Sequence, residues 1–519
     1  MKKLYLLVAV YALALTCHVH AIFVALQGQT FLSPRSQGTD AARDIVGWHE
    51  TINPVGKQGW YQSWAITPSY QRSFRDNQLA EYFFGTSVLG ITGSQVETRK
   101  DTDLLADYFG LSPKFQSVVC VKPEVQNVVA DVAWYGGHNN FFASVHAPLT
   151  WTKSIVDLHE NVFDPGCSTP FPAEYMDFAP VVAPYNCFST AVRGTESYGQ
   201  VERLRSGKIG CPHTKWGCAD VHINVGGYAV KNERGRCGLM GRLVVPTGNR
   251  PDNEFLFEPV VGNGRHVELG FGLTGATLVW EQDGEQRLDV LIDANVMHFF
   301  KTHQKRSFDL IGTGTWQRVG NWGSRYMLAK KFNEDGNYSG VTVPLINATT
   351  VPVDIRVTIQ VDMVLMLAYM YKDFGIDLGY DGWIRSKEHL SCPCFPERTY
   401  ALKGIQNVTG LGVLSNATQS HATINGNLFA DQALLEDDPS PVFIRQHDLN
   451  VYSAEAPLAY SHKIFWHIYK TWYEECPMQA HFGWGGFVEF EGQLPNHLQT
   501  NRSSISQWGM WLKAGVAYS

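Results

Sequence analysis

The alternation running from Val351 to Lys387 constrains the fold more than any other stretch. From Val351 to Tyr371 the odd positions (Val351, Val353, Ile355, Val357, Ile359, Val361, Met363, Leu365, Leu367, Tyr369, Tyr371) are all apolar, and Pro352, Asp354, Arg356, Thr358, Gln360 and Asp362 open a mostly polar even set. A period of two marks a strand with unlike faces. After Lys372-Asp373 the alternation resumes on the opposite parity. Phe374, Ile376, Leu378, Tyr380 and Ile384 are apolar, whereas Gly375, Asp377, Gly379, Asp381, Arg385 and Lys387 are small or charged. Two strands joined by two residues form a tight antiparallel hairpin. Soluble strands usually run ~5–6 residues, and here one apolar face persists for about twice that. A transmembrane barrel needs this combination, apolar toward lipid and polar toward a wet lumen. Tyr369, Tyr371 and Phe374 then flank the turn where an aromatic girdle sits. For the hairpin alone, a long ribbon in a β-sandwich is the competing fold. A spanning helix over Met363–Tyr371 is too short, and Asp362 and Lys372 bracket it.

Residues 1–21 read as a secretory signal: basic Met1-Lys2-Lys3, an apolar Leu4–Thr16, and Val19-His20-Ala21 at the cleavage point. No later run of about 18 uncharged apolar residues offers a membrane helix. Aromatic residues make up 13% of the chain and charged residues only 18%, with 48 glycines, which suits girdles, turns and lipid-facing walls. The net charge of −7 argues against a nucleic-acid partner. Ten cysteines are present; Cys17 leaves with the signal and an odd number remains. Export makes disulfides the default, and Cys167, Cys187, Cys211, Cys218, Cys392 and Cys394 are the candidates, with pairing open.

The organisation expected is a signal peptide at 1–21, a turn-rich periplasmic lead-in at 22–58, and a barrel over 59–519. The fold class is all-β: a transmembrane antiparallel barrel of about 14 strands, with 12–18 acceptable, and long extracellular loops at 157–217, 301–349 and 430–457. Leu79–Gly93 is expected to be an early strand, and Asp101–Gly110 a short loop helix. Gln507–Ser519 alternates to the end of the sequence, with Trp508, Met510, Leu512, Ala514, Val516 and Tyr518 on one face. Such a terminal strand is similar to those that close outer-membrane barrels and engage the assembly machinery. Placing its end in the periplasm puts the Lys372-Asp373 turn on the periplasmic side, provided that Tyr400–Ile405 and Ala422–Leu428 are two further strands.

The chain resembles bacterial outer-membrane barrels of the porin and hydrophobic-solute-transporter kind. The local match is Leu243-Val244-Val245-Pro246-Thr247-Gly248-Asn249 followed by Gly262-Asn263-Gly264. A strand ending in Pro-Thr-Gly before a Gly-rich segment is similar to the outer-membrane proteins of aromatic (meta-pathway) degradation, related to long-chain fatty-acid transporters. The resemblance implies the outer membrane as location and passive passage of small solutes, and leaves the solute open.

The chemistry-bearing motifs are few. Cys211-Pro-His213 with Cys218 lacks the tight pairs of a zinc site, and an oxidising compartment favours disulfides over metal. No GxSxG or HExxH occurs, so neither enzyme, metal nor cofactor is expected. Asp354, Arg356, Asp362, Asp377, Asp381 and Arg385 are expected to line the lumen. There they either set a transverse field that orients solutes or pair with one another and hydrate the wall. Membrane lipid and small solutes are the expected partners, and a homo-oligomer stays open. The rival function is a structural or adhesive outer-membrane protein cross-linked through its cysteines.

Overall fold

The computed structural model describes residues 28–47, 59–100, 103–167, 169–171, 181–311, 321–402, 443–473, 478–492 and 504–518. The signal segment, the 474–477 turn and Ala422–Leu428 lie outside these residues. Twelve long strands form the wall: β1 (Trp60–Ser73), β2 (Gln116–His138), β3 (Phe141–Asp164), β4 (Val221–Asn232), β5 (Gly235–Val245), β6 (Glu268–Gln282), β7 (Gln286–Ser307), β8 (Thr350–Tyr371), β9 (Phe374–Arg385), β10 (Ala459–Tyr473), β11 (Met478–Glu491) and β12 (Gln507–Tyr518). Each pairs antiparallel with its neighbours in the chain, and β12 closes on β1 from Tyr518↔Gln62 to Gln507↔Ser73. The result is an up-and-down barrel without a free edge, which satisfies the wall amides within the sheet.

The strand number falls below fourteen because several alternating stretches build the cap over one end. Tyr400–Leu402 pairs with Leu328–Phe332, which pairs in turn with Tyr338–Pro344. Residues 79–93 split into a helix, α2 (Asp76–Phe84), and a short strand, Val88–Thr92, laid on β2. Asp101–Gly110 contains a two-residue strand and a single 3-10 turn ending at Gly110, whose φ of +73° suits glycine.

The two barrel ends differ. The β2–β3, β4–β5, β6–β7 and β8–β9 connections are tight turns at one end, where β1 also begins and β12 finishes. The long connections lie at the other end. The Lys372-Asp373 turn therefore falls at the tight-turn end without any extra strand pair, since β9 leads through a single long connection to β10. Two expected loops are shorter than their sequence suggests: β3 continues to Asp164 and β7 to Ser307.

The wall residues sort by parity. Leu149, Leu239, Phe271, Leu365, Leu378, Ile464, Trp484 and Leu512 point outward and remain exposed. Trp60, Phe141, Trp280, Tyr371, Phe374, Trp472 and Tyr518 form an exposed aromatic ring around the tight-turn end. An apolar exterior with an aromatic rim is the surface of a barrel set in lipid. The main apolar core lies outside the wall, in the cap, where Tyr82, Phe83, Phe84, Phe115, Phe188, Phe308 and Tyr326 pack together.

The hairpin of β8 and β9 departs from strict alternation. The odd positions of β8 do not form one face. Val351, Val353, Ile355 and Val357 are buried, Thr358 and Ile359 are both exposed, and from Gln360 onward the even positions face inward. The neighbouring register shifts at Met297/Phe299 and Phe299/Thr302 mark a bulge. Ser386 fixes it, its Oγ accepting from the N–H groups of Thr358 and Ile359 at 3.1 and 3.2 Å. Below the bulge the apolar face meets lipid; above it, the apolar face meets the cap.

Candidate functional site: an occupied lumen

Residues 28–47, expected in the periplasm as part of a lead-in, run through the barrel. The backbone N–H groups of Gln29 and Thr30 bond to Tyr82 and Ser453 in the cap. Gly47, at the far end of the segment, donates its N–H to Asp377 Oδ2 at 2.7 Å near the tight-turn end. The segment therefore threads the lumen from cap to rim. Its one helix, α1 (Ala41–Ile45), starts at Asp40, whose carboxylate accepts from the Arg43 N–H at 3.1 Å. Ala41, Ala42, Ile45 and Val46 pack on inward Leu291, Val364, Met366, Phe465 and Trp511.

The remaining contacts are polar, and several are ion pairs. Arg35 reaches Asp362 at 2.9 Å, Asp381 at 3.1 Å and Glu489 at 3.4 Å. Lys463 lies 3.0 Å from Asp40, 3.5 Å from Asp381 and 3.9 Å from Glu489. Arg43 faces Asp131 at 3.6 Å, and Lys513 Nζ donates to the carbonyls of Arg43 and Asp44 at 2.9 and 3.0 Å. Higher up, Arg385 donates to Ser33 Oγ at 2.6 Å, and Gln37 Oε1 accepts from the Gly262 N–H at 2.9 Å. Buried ion pairs contribute little net stability over apolar packing, yet removing one partner is costly.

Two glycines make room for this arrangement. A Cβ at Gly47 would lie 2.3 Å from the His481 ring, and Gly47 has a φ of +67°. A Cβ at Gly379 would lie 2.2 Å from Phe465. The first seats the plug; the second lets an inward ring lie flat on the wall.

Of the expected lumen residues, Asp362, Asp377, Asp381 and Arg385 point inward and all four contact the plug. Asp354 and Arg356 do not line the lumen: they lie above the bulge and face outward. Asp354 there pairs with Lys301 at 2.9 Å and His303 at 3.2 Å. Lys463, Glu489, Lys513 and Asp131 also face inward and contact the plug or its partners. Their signal is present in the sequence, because each shares parity with the inward face opposite an apolar row such as Ile464, Trp466 and Ile468. Arg35, Asp40 and Arg43 carry no periodic signal.

Eight cysteines are described, and all are unpaired, including the disulfide candidates Cys167, Cys187, Cys211, Cys218, Cys392 and Cys394. Cys187 Sγ turns to Thr190 Oγ1 at 3.0 Å, and Cys392 Sγ accepts from Gln446 Nε2 at 2.8 Å. Cys120 and Cys237 sit on separate wall strands, β2 and β5. Asp44, Asp131 and His146 bring potential ligand atoms within 4.8 Å of one another. Arg43 already neutralises Asp131, so the group reads as part of the plug's ionic seat.

No family model and no curated protein sequence matches the chain. Among solved structures, an outer membrane channel from Pseudomonas putida F1 shares 6% identity at a TM-score of 0.33, over 89% of this chain and 96% of that one. A Pseudomonas aeruginosa FadL homologue shares 6% at 0.27, over 89% and 90%. The β domain of the Bordetella autotransporter BrkA shares 6% at 0.27, over 88% and 99%. These likenesses are too slight to bear on function.

Proposed function

We propose that this chain is a bacterial outer-membrane channel for small solutes whose resting lumen is closed by residues 28–47. One observation carries the reading: a segment of the chain occupies the lumen and is held there largely by ion pairs to the wall. A barrel serving only as an anchor gains stability from an apolar filling. Charged groups on both plug and wall instead suit a filling that exchanges its partners for water. The closed sheet supplies the path, the apolar exterior fixes it in lipid, and the cap covers the end with the long connections. Passage is passive in this reading, because exchanging ion pairs for water moves the plug without an energy source.

Liposome swelling in isosmotic solutes tests the reading. Purified, folded barrel is expected to admit small neutral solutes and exclude oligosaccharides. Liposomes that never swell, with barrel insertion verified, contradict it.

A second reading is favoured by the exposed, unpaired Cys167, Cys211, Cys392 and Cys394. These thiols suit a structural protein cross-linked to its neighbours. Non-reducing gels of intact membranes discriminate the two: a covalent ladder together with absent swelling supports the structural role.

A further inference from the structure

The plug does not fill the lumen. A cavity of about 110 Å³ remains between α1 and the inner faces of β2 to β7. On this measure one water needs about 10–15 Å³, so the space holds several waters or one small organic molecule. Ala41, Asp44 and Ile45 of the plug form one side.

Its lining has three parts. Four buried oxygens, Asp44 Oδ1, Asn224 Oδ1, Asp293 Oδ1 and Asn295 Oδ1, have no hydrogen-bond partner among the described residues, and Asp44 Oδ1 faces His146 Nδ1 at 3.6 Å. Asn224 and Asn295 are only 5% and 3% exposed. The Asn224 amide nitrogen donates to Ser144 Oγ at 2.9 Å. Arg236 and Arg242 bring guanidinium groups to the same space as Asp44 and Asp293. Tyr135, Phe142 and Tyr228 form a carbon wall, with successive ring centroids 5.8 and 4.8 Å apart and the two tyrosine hydroxyls bonded at 3.1 Å.

We propose that this cavity is a binding site for a neutral, hydroxyl-rich ring of monosaccharide size. This rests on the channel reading and names the solute class. A hydroxyl both donates and accepts, so a polyol satisfies the four acceptors while taking donation from the guanidinium groups. Its C–H face lies against the aromatic wall. Other classes fit less well. A hydrocarbon leaves four buried oxygens unpaired. An organic cation meets Arg236 and Arg242, and an anion meets Asp44 and Asp293. Because Asp44 belongs to the plug, the occupant touches the element that closes the lumen.

The test is calorimetric titration of the full-length, detergent-solubilised barrel with D-glucose, D-galactose and D-mannose in turn. At least one is expected to bind saturably. Asp293→Asn, Asn295→Ala and Asn224→Ala each alter a different acceptor of the wall, and each is expected to weaken binding about tenfold or more. Heat-dependent gel mobility confirms that a variant is folded, and the three variants guard against one failing to assemble. The proposal is overturned if folded wild-type protein binds none of the three hexoses, or if all folded variants bind as wild type does. Saturable binding of toluene alone overturns it too. Liposome swelling on the same preparations separates the two readings. Swelling without hexose binding defeats this proposal and spares the channel; hexose binding without swelling defeats the channel and spares the site.

Discussion

Replacing Arg35 by Ala removes the cation that three wall carboxylates share. The guanidinium lies within 3.4 Å of Asp362, Asp381 and Glu489, and none of the four side chains is more than 8% exposed. After the change Lys463 remains, at 3.5 Å from Asp381 and 3.9 Å from Glu489, and it already serves Asp40. Breaking a buried ion pair by removing one partner costs ~3–5 kcal/mol. With the plug out, the same carboxylates are hydrated, so the cost falls on the seated state alone. Taking the lower figure, the ratio of seated to unseated plug drops roughly a hundredfold. Single-channel recording in planar bilayers reads this directly. Wild-type barrels are expected to stay mostly closed, and Arg35→Ala barrels to spend far longer in an open level. Arg35→Lys keeps the charge, loses the planar fork, and is expected to fall between them. Folded Arg35→Ala barrels with wild-type closed times refute the idea that this cluster holds the plug.

Three further changes probe other parts of the structure. Gly47→Ala places a methyl into the His481 ring at a positive φ, costing about 1–2 kcal/mol from the backbone alone, and hydrogen exchange is expected to show faster amides over residues 40–47 with the wall unchanged. In the cap, burial pushes the Asp107 carboxyl up to about 6, against the opposing pull of the Ser94 hydroxyl and N–H at 2.6 and 2.8 Å. Between its unfolded value of 3.8 and that value the folded cap retains a proton that the unfolded chain has lost, so cap stability falls by roughly 3 kcal/mol as pH rises through this window and then levels off. Limited proteolysis of the cap at pH 4.5 and pH 7 checks this, and Asp107→Asn is expected to flatten the difference. Leu367→Arg puts a charge on the lipid face and is expected to cost about 2–4 kcal/mol near the bilayer midplane, seen as a lower temperature for the folded-to-unfolded gel shift.

Alternation encodes the wall and little else, which decides how much of this molecule is legible in its sequence. Along β9, β10, β11 and β12 the period of two runs unbroken, so wall, faces and closing strand are readable. The bulge at Thr358-Ile359 breaks that logic, because an extra residue exchanges the faces while both sides of it happen to be apolar at odd positions. Strict alternation therefore puts Asp354 and Arg356 in the lumen, where they are not. The cap strands alternate as well as the wall strands do, which inflates the strand count. The plug leaves no periodic trace: Arg35, Asp40 and Arg43 gain their meaning from partners far away in the sequence. Cysteine placement is equally invisible, since export sets a default for pairing but says nothing of distance.

Locking the plug tests the central claim most directly. Ser36 Oγ lies 3.0 Å from Asp220 Oδ2 on the wall side. In a background without the native cysteines, Ser36→Cys with Asp220→Cys ties the two together under oxidation. Oxidised barrels in liposomes are expected to block swelling by small solutes, and dithiothreitol to restore it. Equal swelling in the oxidised and reduced forms, with the disulfide shown to be complete, would contradict a gate made of residues 28–47.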